Sequence, residues 1–194
     1  MFVIKQETLE SFMTDTNQNI PISLDYGKRQ SGVVLYKGFA VRADSRSEGE
    51  IFQIGFEEHI SRHSVEGRPY PLSYYYGYKT TGYGISTSKG LHILGTGHPY
   101  LYADKHYIVD LRDHSFAIDL LASAEEMARD LPSFCSKIQE VNVVGCISND
   151  HVVGVVRHIQ KGMLGIDLNV NYKADFLKKI IEYEKKVGEA EVMI

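Results

Sequence analysis

The chain has 194 residues, 43% of them hydrophobic, and a formal net charge of -4. That length fits one domain with a sizeable core, and the slight acidity excludes attachment to nucleic acid or anionic membrane through overall charge. No apolar run approaches the ~20 residues of a membrane span, and the start Met1-Phe2-Val3-Ile4-Lys5-Gln6-Glu7 lacks the basic lead and apolar block of a secretory signal peptide.

Residues 1–32 are polar and read as an irregular N-terminal arm or an extra helix. Strand character begins at Val33-Val34-Leu35 and resumes at Phe39–Ala43. The second strand delivers Arg42, Asp44 and Arg46 into a turn. An arginine at a strand end is permanently charged and suits a phosphate as a bidentate fork; a simple Arg42–Asp44 salt bridge is the alternative. Ser47-Glu48-Gly49-Glu50 has capping-box spacing, so a helix is predicted from there, with Ile51, Phe52 and Ile54 inward and Gly55 as its stop.

Residues 56–85 hold Gly67, Pro69, Pro71 and the cluster Tyr74, Tyr75, Tyr76 and Tyr78. The punctuation marks a long loop, a feature associated with function. The tyrosines offer broad contact area at low entropic cost, or else cover a core edge. His59 and His63 have the four-residue spacing of a helical metal pair, but no third ligand accompanies them. Cys135 and Cys146 lack metal-ligand spacing with histidines and are read as reduced thiols, a disulfide between them being the alternative.

Further along, Ile85–Ser88 reads as a strand, Lys89–Leu94 as one or two helical turns, and His106–Leu111 as a strand. Ser123-Ala124-Glu125-Glu126 is a second capping box, predicting a helix to Leu131 before Pro132. Gln139–Gly145 is a strand with Glu140 at its entry, and Val152–Arg157 is a strand expected to pair with it. Ile166–Val170 is one more strand, and Lys173–Lys186 has helical periodicity.

Three blocks in this order resemble a known family. The stretch Val41–Phe56, opening Val41-Arg42-Ala43-Asp44-Ser45-Arg46, resembles the first block of cholera-like and pertussis-like mono-ADP-ribosyltransferase toxins, in which an arginine ends the first strand. Gly84-Ile85-Ser86-Thr87-Ser88 resembles their Ser-Thr-Ser block, and Gln139-Glu140-Val141-Asn142-Val143-Val144 their glutamate block. His63 followed by Gly67-Arg68 is similar to the pertussis-like pattern in the intervening loop. The resemblance covers roughly residues 33–157.

The resemblance implies an α+β ADP-ribosyltransferase fold, with two small facing antiparallel sheets, flanking helices and an NAD cleft between them. It divides the chain into an N-terminal arm (1–32), a catalytic core (33–160) and a C-terminal strand and helix extension (161–194). It implies NAD as substrate, cleaved at the nicotinamide–ribose bond. Glu140 is the expected catalytic carboxylate, with Ser86 hydrogen-bonded to it. Arg42 is expected on phosphate or ribose oxygen, braced through Asp44 or Ser86. Ala43 offers backbone groups to the nicotinamide amide, and Thr87 and Ser88 support the site wall. His63 is expected near the ribose or acceptor, and Phe56 and the tyrosine cluster against nicotinamide or adenine.

One position departs from the family pattern. Arginine-modifying relatives carry glutamate, and others glutamine, two residues before the catalytic glutamate; here Ile138 stands there. An apolar side chain cannot polarise a guanidinium, so arginine is not the expected acceptor. Lys137 or Gln139 standing in, another acceptor chemistry, or NAD hydrolysis remain open. Phe134 sits where relatives place a target-touching aromatic, which favours a host protein acceptor. The glutamate-rich tail Glu182–Ile194 resembles C-terminal signals of injected bacterial effectors, or is a solvated helix end. A secreted toxin or injected effector is therefore expected; a catalytically silent NAD-cleft protein that docks a host partner is the rival of another class.

Overall fold

The computed structural model describes residues 1–26, 29–57, 85–95, 105–126, 136–137 and 139–192. Among these are ten strands in one hydrogen-bonded order, β1-β10-β9-β6-β4-β5-β8-β7-β3-β2. They are β1 (Phe2–Lys5), β2 (Gln18–Tyr26), β3 (Arg29–Lys37), β4 (Phe39–Asp44), β5 (Ile85–Lys89), β6 (Lys105–Asp110), β7 (Ala117–Asp119), β8 (Glu140–Val143), β9 (Val152–Gln160) and β10 (Met163–Leu168). Every pairing is antiparallel. The described helices are α1 (Gln6–Asp15), α2 (Glu48–Ile54), α3 (Leu120–Glu126) and α4 (Phe176–Val192). The class is α+β.

The sheet is continuous in order but forks at its centre. β4 pairs with β6 over six residues, Phe39 to Asp44. β5 pairs with β8 from Ile85 to Ser88. Between β4 and β5 only Ala40↔Lys89 and Val41↔Ser88 are paired. Beyond Val41 the strands diverge, each held by its outer neighbour. The expected pair of sheets exists in this form, as two half-sheets hinged on two residue pairs.

Strand alternation sends side chains to two faces. On one face Phe39 and Val41 join Phe12, Ile108, Val156, Ile166, Phe176 and Ile180 in a core roofed by α1 and α4. On the other, Ala40 joins Tyr36, Ile51, Phe56, Tyr107, Val141 and Val143. The consecutive apolar residues Phe39, Ala40 and Val41, all fully buried, are what let β4 cover a core on both faces.

The polar N-terminal stretch holds the extra helix rather than an irregular arm, and two strands besides. Phe2–Lys5 adds an edge strand to β10, α1 buries Leu9, Phe12 and Met13, and Gln18–Tyr26 runs the length of β3. Few apolar residues suffice because each element presents only one face to the core. Ser47 caps α2 as expected, accepting from the Glu50 N–H at 3.2 Å, and Gly55 ends it at φ 77°. A Cβ at Gly55 would lie 2.2 Å from the Ile147 carbonyl, so the stop requires glycine. Ile54, expected inward, is exposed.

Three other expectations change. α3 begins at Leu120, not Ser123, because Asp119 Oδ1 accepts from the Ala122 N–H at 3.0 Å and serves as the cap. Ser123 is instead buried within the helix, donating to Asp119 O and accepting from the Val34 N–H. β9 pairs with β6 and β10, not with β8, whose flanks are taken by β5 and β7. The helical turn after β5 is a short 3-10 segment, His92–Gly95. Residues 127–131 lie outside the described residues.

Candidate active site

The fork assembles the three sequence blocks. β4 brings Arg42, Ala43 and Asp44 to one arm, and β5 brings Ser86 to the other. β8, beside β5, carries Glu140 at its entry. Val41, Ser88 and Glu140 are directly opposite one another across three strands, so they share a face. Ser86 and Asn142 share it too, since Ser86 pairs with Asn142. Glu140 is 5% exposed, a carboxylate nearly withdrawn from water at the root of the fork.

The backbone of the β4 arm points into the gap. Leu111 N–H donates to Gly38 O at 2.8 Å, which turns Gly38 toward β6. By the two-residue period Ala40 and Arg42 also turn toward β6, and Val41 and Ala43 turn toward β5. Val41 is the last residue that pairs with β5. The N–H and C=O of Ala43 therefore face the gap beyond the end of the β4–β5 ladder. A donor and an acceptor side by side complement a carboxamide.

Arg42 bridges the gap near its root. Its Nη1 donates to Ser86 O across the fork at 2.7 Å, while its Nε lies 3.9 Å from Asp44 Oδ2. The simple Arg42–Asp44 salt bridge is thus the longer of the two contacts. The carboxylate of Asp44 belongs mainly to Arg46, accepting from its Nε at 3.0 Å, its Nη2 at 2.9 Å and its backbone N–H at 2.9 Å. Burial pushes the Asp44 carboxyl up, but the Arg46 hydrogen bonds outweigh it and leave the group below the ordinary range. Asp44 therefore fixes the turn into α2, and contact with cofactor is not needed to explain it.

Other expected residues move to supporting places. Phe56 is 1% exposed, packed against Tyr107 with ring centroids 5.6 Å apart and covered by the Arg46 guanidinium at 5.5 Å. Its ring is core, not an open stacking surface; the chain between α2 and β5 re-enters the fold there through the Phe56↔Ile147 bridge. Thr87 points to the face away from Glu140, and its hydroxyl donates to Val141 O at 2.8 Å, clamping β5 to β8. Ser88, not Ser86, is the residue opposite Glu140, and no hydrogen bond between Ser86 and Glu140 is found among the described residues. His63, Phe134, Ile138 and the Tyr74–Tyr78 cluster lie outside the described residues.

Two features escaped sequence reading. Lys89, at the end of β5, makes an ion pair with the fully buried Asp119 of β7. The pair reaches across the entry of β8 and braces the strand that carries Glu140. Asn142 is buried without a hydrogen bond to either amide atom. The second was visible in outline: Glu140-Val141-Asn142-Val143 alternates polar and apolar, which puts both polar residues on one face.

At the entry to β8, Gln139 holds φ 48°, the only non-glycine residue with positive φ among those described. Its carbonyl accepts from the Lys89 N–H at 3.1 Å and its N–H donates to Ser136 O at 3.2 Å. Gln139 borders a polar cavity of about 470 Å³, with Asn17, Gln18, Asn19, Tyr36 and Lys89 among its walls. Backbone in this sparsely populated region costs about 1–3 kcal/mol and clusters at functional sites. Among the described residues no cluster of metal-ligating side chains occurs, and no helix is long and apolar enough to cross a membrane.

This is the ADP-ribosyltransferase fold. A solved structure described as a guanine-specific ADP-ribosyltransferase superposes with a TM-score of 0.50 at 19% identity, over 80% of this chain and 84% of that one. The same enzyme type with NADH and GDP gives 0.48 at 20% identity, over 80% and 83%. Scabin toxin from Streptomyces scabies with NADH gives 0.49 at 19% identity, over 72% and 78%. No protein-family model and no curated protein sequence matches the chain.

Proposed function

We propose that the chain is an NAD-dependent mono-ADP-ribosyltransferase, with Glu140 as its catalytic carboxylate. The observation that carries this reading is the fork. A nearly buried carboxylate stands at its root, and the Ala43 backbone donor and acceptor face the gap. Nicotinamide fits such a place because its carboxamide can pair with both Ala43 groups. Cleavage breaks the bond between the nicotinamide nitrogen and the ribose carbon. Nicotinamide leaves as a neutral base, and positive charge builds on the ribose. The Glu140 carboxylate faces that charge, and Arg42 holds the two arms at a fixed separation through Ser86 O. Preorganised electrostatics of this kind is worth about 10²–10³ in rate per group.

On the acceptor side we favour a host protein, delivered to by a secreted or injected effector. With Ile138 unable to polarise a nucleophile, Gln139 is the group we assign to the acceptor: it directly precedes Glu140 in the chain and borders the polar cavity. A second acceptor class is a guanine base. The cavity is rich in side-chain amides, which can pair with a base edge, and the similar structure described above is guanine-specific.

The test is nicotinamide release from labelled NAD by the full chain, alone, with eukaryotic lysate, and with guanine nucleotides, each beside Glu140→Gln. Glu140-dependent release with label entering a protein band supports the host-protein reading. Label entering GMP, GDP or oligonucleotide selects guanine, and release without transfer means a glycohydrolase. Binding of NAD without release under every condition would leave a silent NAD-cleft protein and overturn the enzyme.

A further inference from the structure

Asn142 lies in the middle of β8, paired with Ser86 of β5 on one side and Ile118 of β7 on the other. It is 1% exposed, and neither its Oδ1 nor its Nδ2 has a hydrogen-bond partner. A buried amide is almost always hydrogen-bonded, because stripping water from it without replacement is unfavourable. Here the donor and the acceptor are both unmet. The sheet offers no relief, since the side chain stands on the face while the ladders run in the plane.

Its surroundings say what the amide is for. Asn142 is two residues from Glu140 on the same strand and face, roughly 7 Å along it. Ser86 stands opposite, about 4.5–5.5 Å away between Cβ atoms, and its backbone carbonyl is the anchor of Arg42. Glu140, Asn142 and Ser86 therefore form one polar patch beside the fork, on a sheet whose other buried positions in β8 are valines. A leucine, with the same branching, would carry no polar group to leave unmet at this position. The amide is retained at a cost to the unliganded fold.

We propose that Asn142 is a substrate-binding residue, whose carboxamide hydrogen-bonds the ribose–nicotinamide half of NAD beside Glu140. This deepens the function proposed above and rests on it. An amide suits a sugar hydroxyl, which can accept from Nδ2 and donate to Oδ1. The contact exists before and during bond cleavage, so it belongs to binding more than to the chemical step.

The experiment measures NAD and ADP binding calorimetrically in the non-turning-over Glu140→Gln protein, with and without Asn142→Leu, alongside melting temperatures. Loss of one such hydrogen bond weakens binding by about three- to tenfold. NAD should lose that much while ADP, which lacks the ribose–nicotinamide half, binds both proteins equally. The leucine variant should melt at the same or a higher temperature, because it removes an unmet polar group. Should it fold poorly, Asn142→Asp keeps the shape, removes the donor and should show the same selective loss. Unchanged NAD affinity, or equal losses for NAD and ADP, would overturn the inference while leaving the enzyme. Failure of the Glu140→Gln protein itself to bind NAD would remove the proposed function, and this inference with it.

Discussion

Asp110 and Asn142 are equally buried, each 1% exposed, and their surroundings are opposite. Asp110, at the end of β6, accepts from Arg112 Nε at 2.8 Å, from Arg112 Nη2 at 2.5 Å and from the Tyr172 hydroxyl at 2.6 Å. Arg112 in turn lies over the Phe39 ring at 4.5 Å. Every strong site on that carboxylate is met by the protein. Asn142, on the other half-sheet, meets none. The protein can form closed polar networks where architecture needs them, so an open one beside Glu140 points to a ligand. Buried polarity that is satisfied fixes the fold; buried polarity that is not satisfied awaits a partner.

Asp110 is the more costly of the two groups to remove. Asp110→Ala leaves Arg112 partly buried without its carboxylate and should cost about 3 kcal/mol or more of stability, read as a fall in denaturation midpoint. NAD affinity of the folded fraction should be unchanged. A variant that keeps its stability but loses NAD binding would reverse the assignment of the two clusters.

Acid should expose the same node. Burial raises the Asp110 carboxyl, but the hydrogen bonds from Arg112 and Tyr172 outweigh it and hold it below the usual range. Its folded value is thus lower than its unfolded one. The stability it contributes is complete above the unfolded value of about 3.9 and is lost as pH falls through the folded value. Asp110→Asn should flatten the loss of melting temperature below about pH 4. An acid limb as steep as that of the parent would show that other carboxylates, Asp44 among them, carry the effect.

The smallest effect sharpens the boundary between the regions. Ser47→Ala removes the cap of α2 and should cost about 1 kcal/mol. α2 begins just after Arg46, whose guanidinium holds Asp44, so a modest rise in KM for NAD should accompany it. Unchanged stability would mean that the contact of Ser47 with Glu50 is replaced by water.

Much of the site was legible in the sequence because it lies in short, punctuated motifs. The three blocks fall on strands as the sequence suggests, with Arg42 in β4 two residues before its end, Ser86 in β5 and Glu140 opening β8, and Ser47 and Gly55 delimit α2 as their chemistry dictates. Several misreadings concern which strands become neighbours, and composition does not encode that. Ser88, not Ser86, faces Glu140 because of register. β9 joins β6 because β8 has no free edge. Phe56 looked like a stacking surface until the Phe56↔Ile147 bridge drew it into the core. The polar first 32 residues hid two strands beside the helix allowed for there, since edge strands need few apolar residues. The Lys89–Asp119 pair spans thirty positions and has no local signature.

The most direct measurement is the rate of nicotinamide release from NAD by the parent chain, Glu140→Gln and Asp110→Asn at a temperature where all three are folded. Release should fall by about 10²–10³ in Glu140→Gln with little change in melting temperature, while Asp110→Asn keeps the parent rate and loses stability. Equal rates for the parent and Glu140→Gln would contradict the account at its centre, because the fork would then be a cleft without its catalyst.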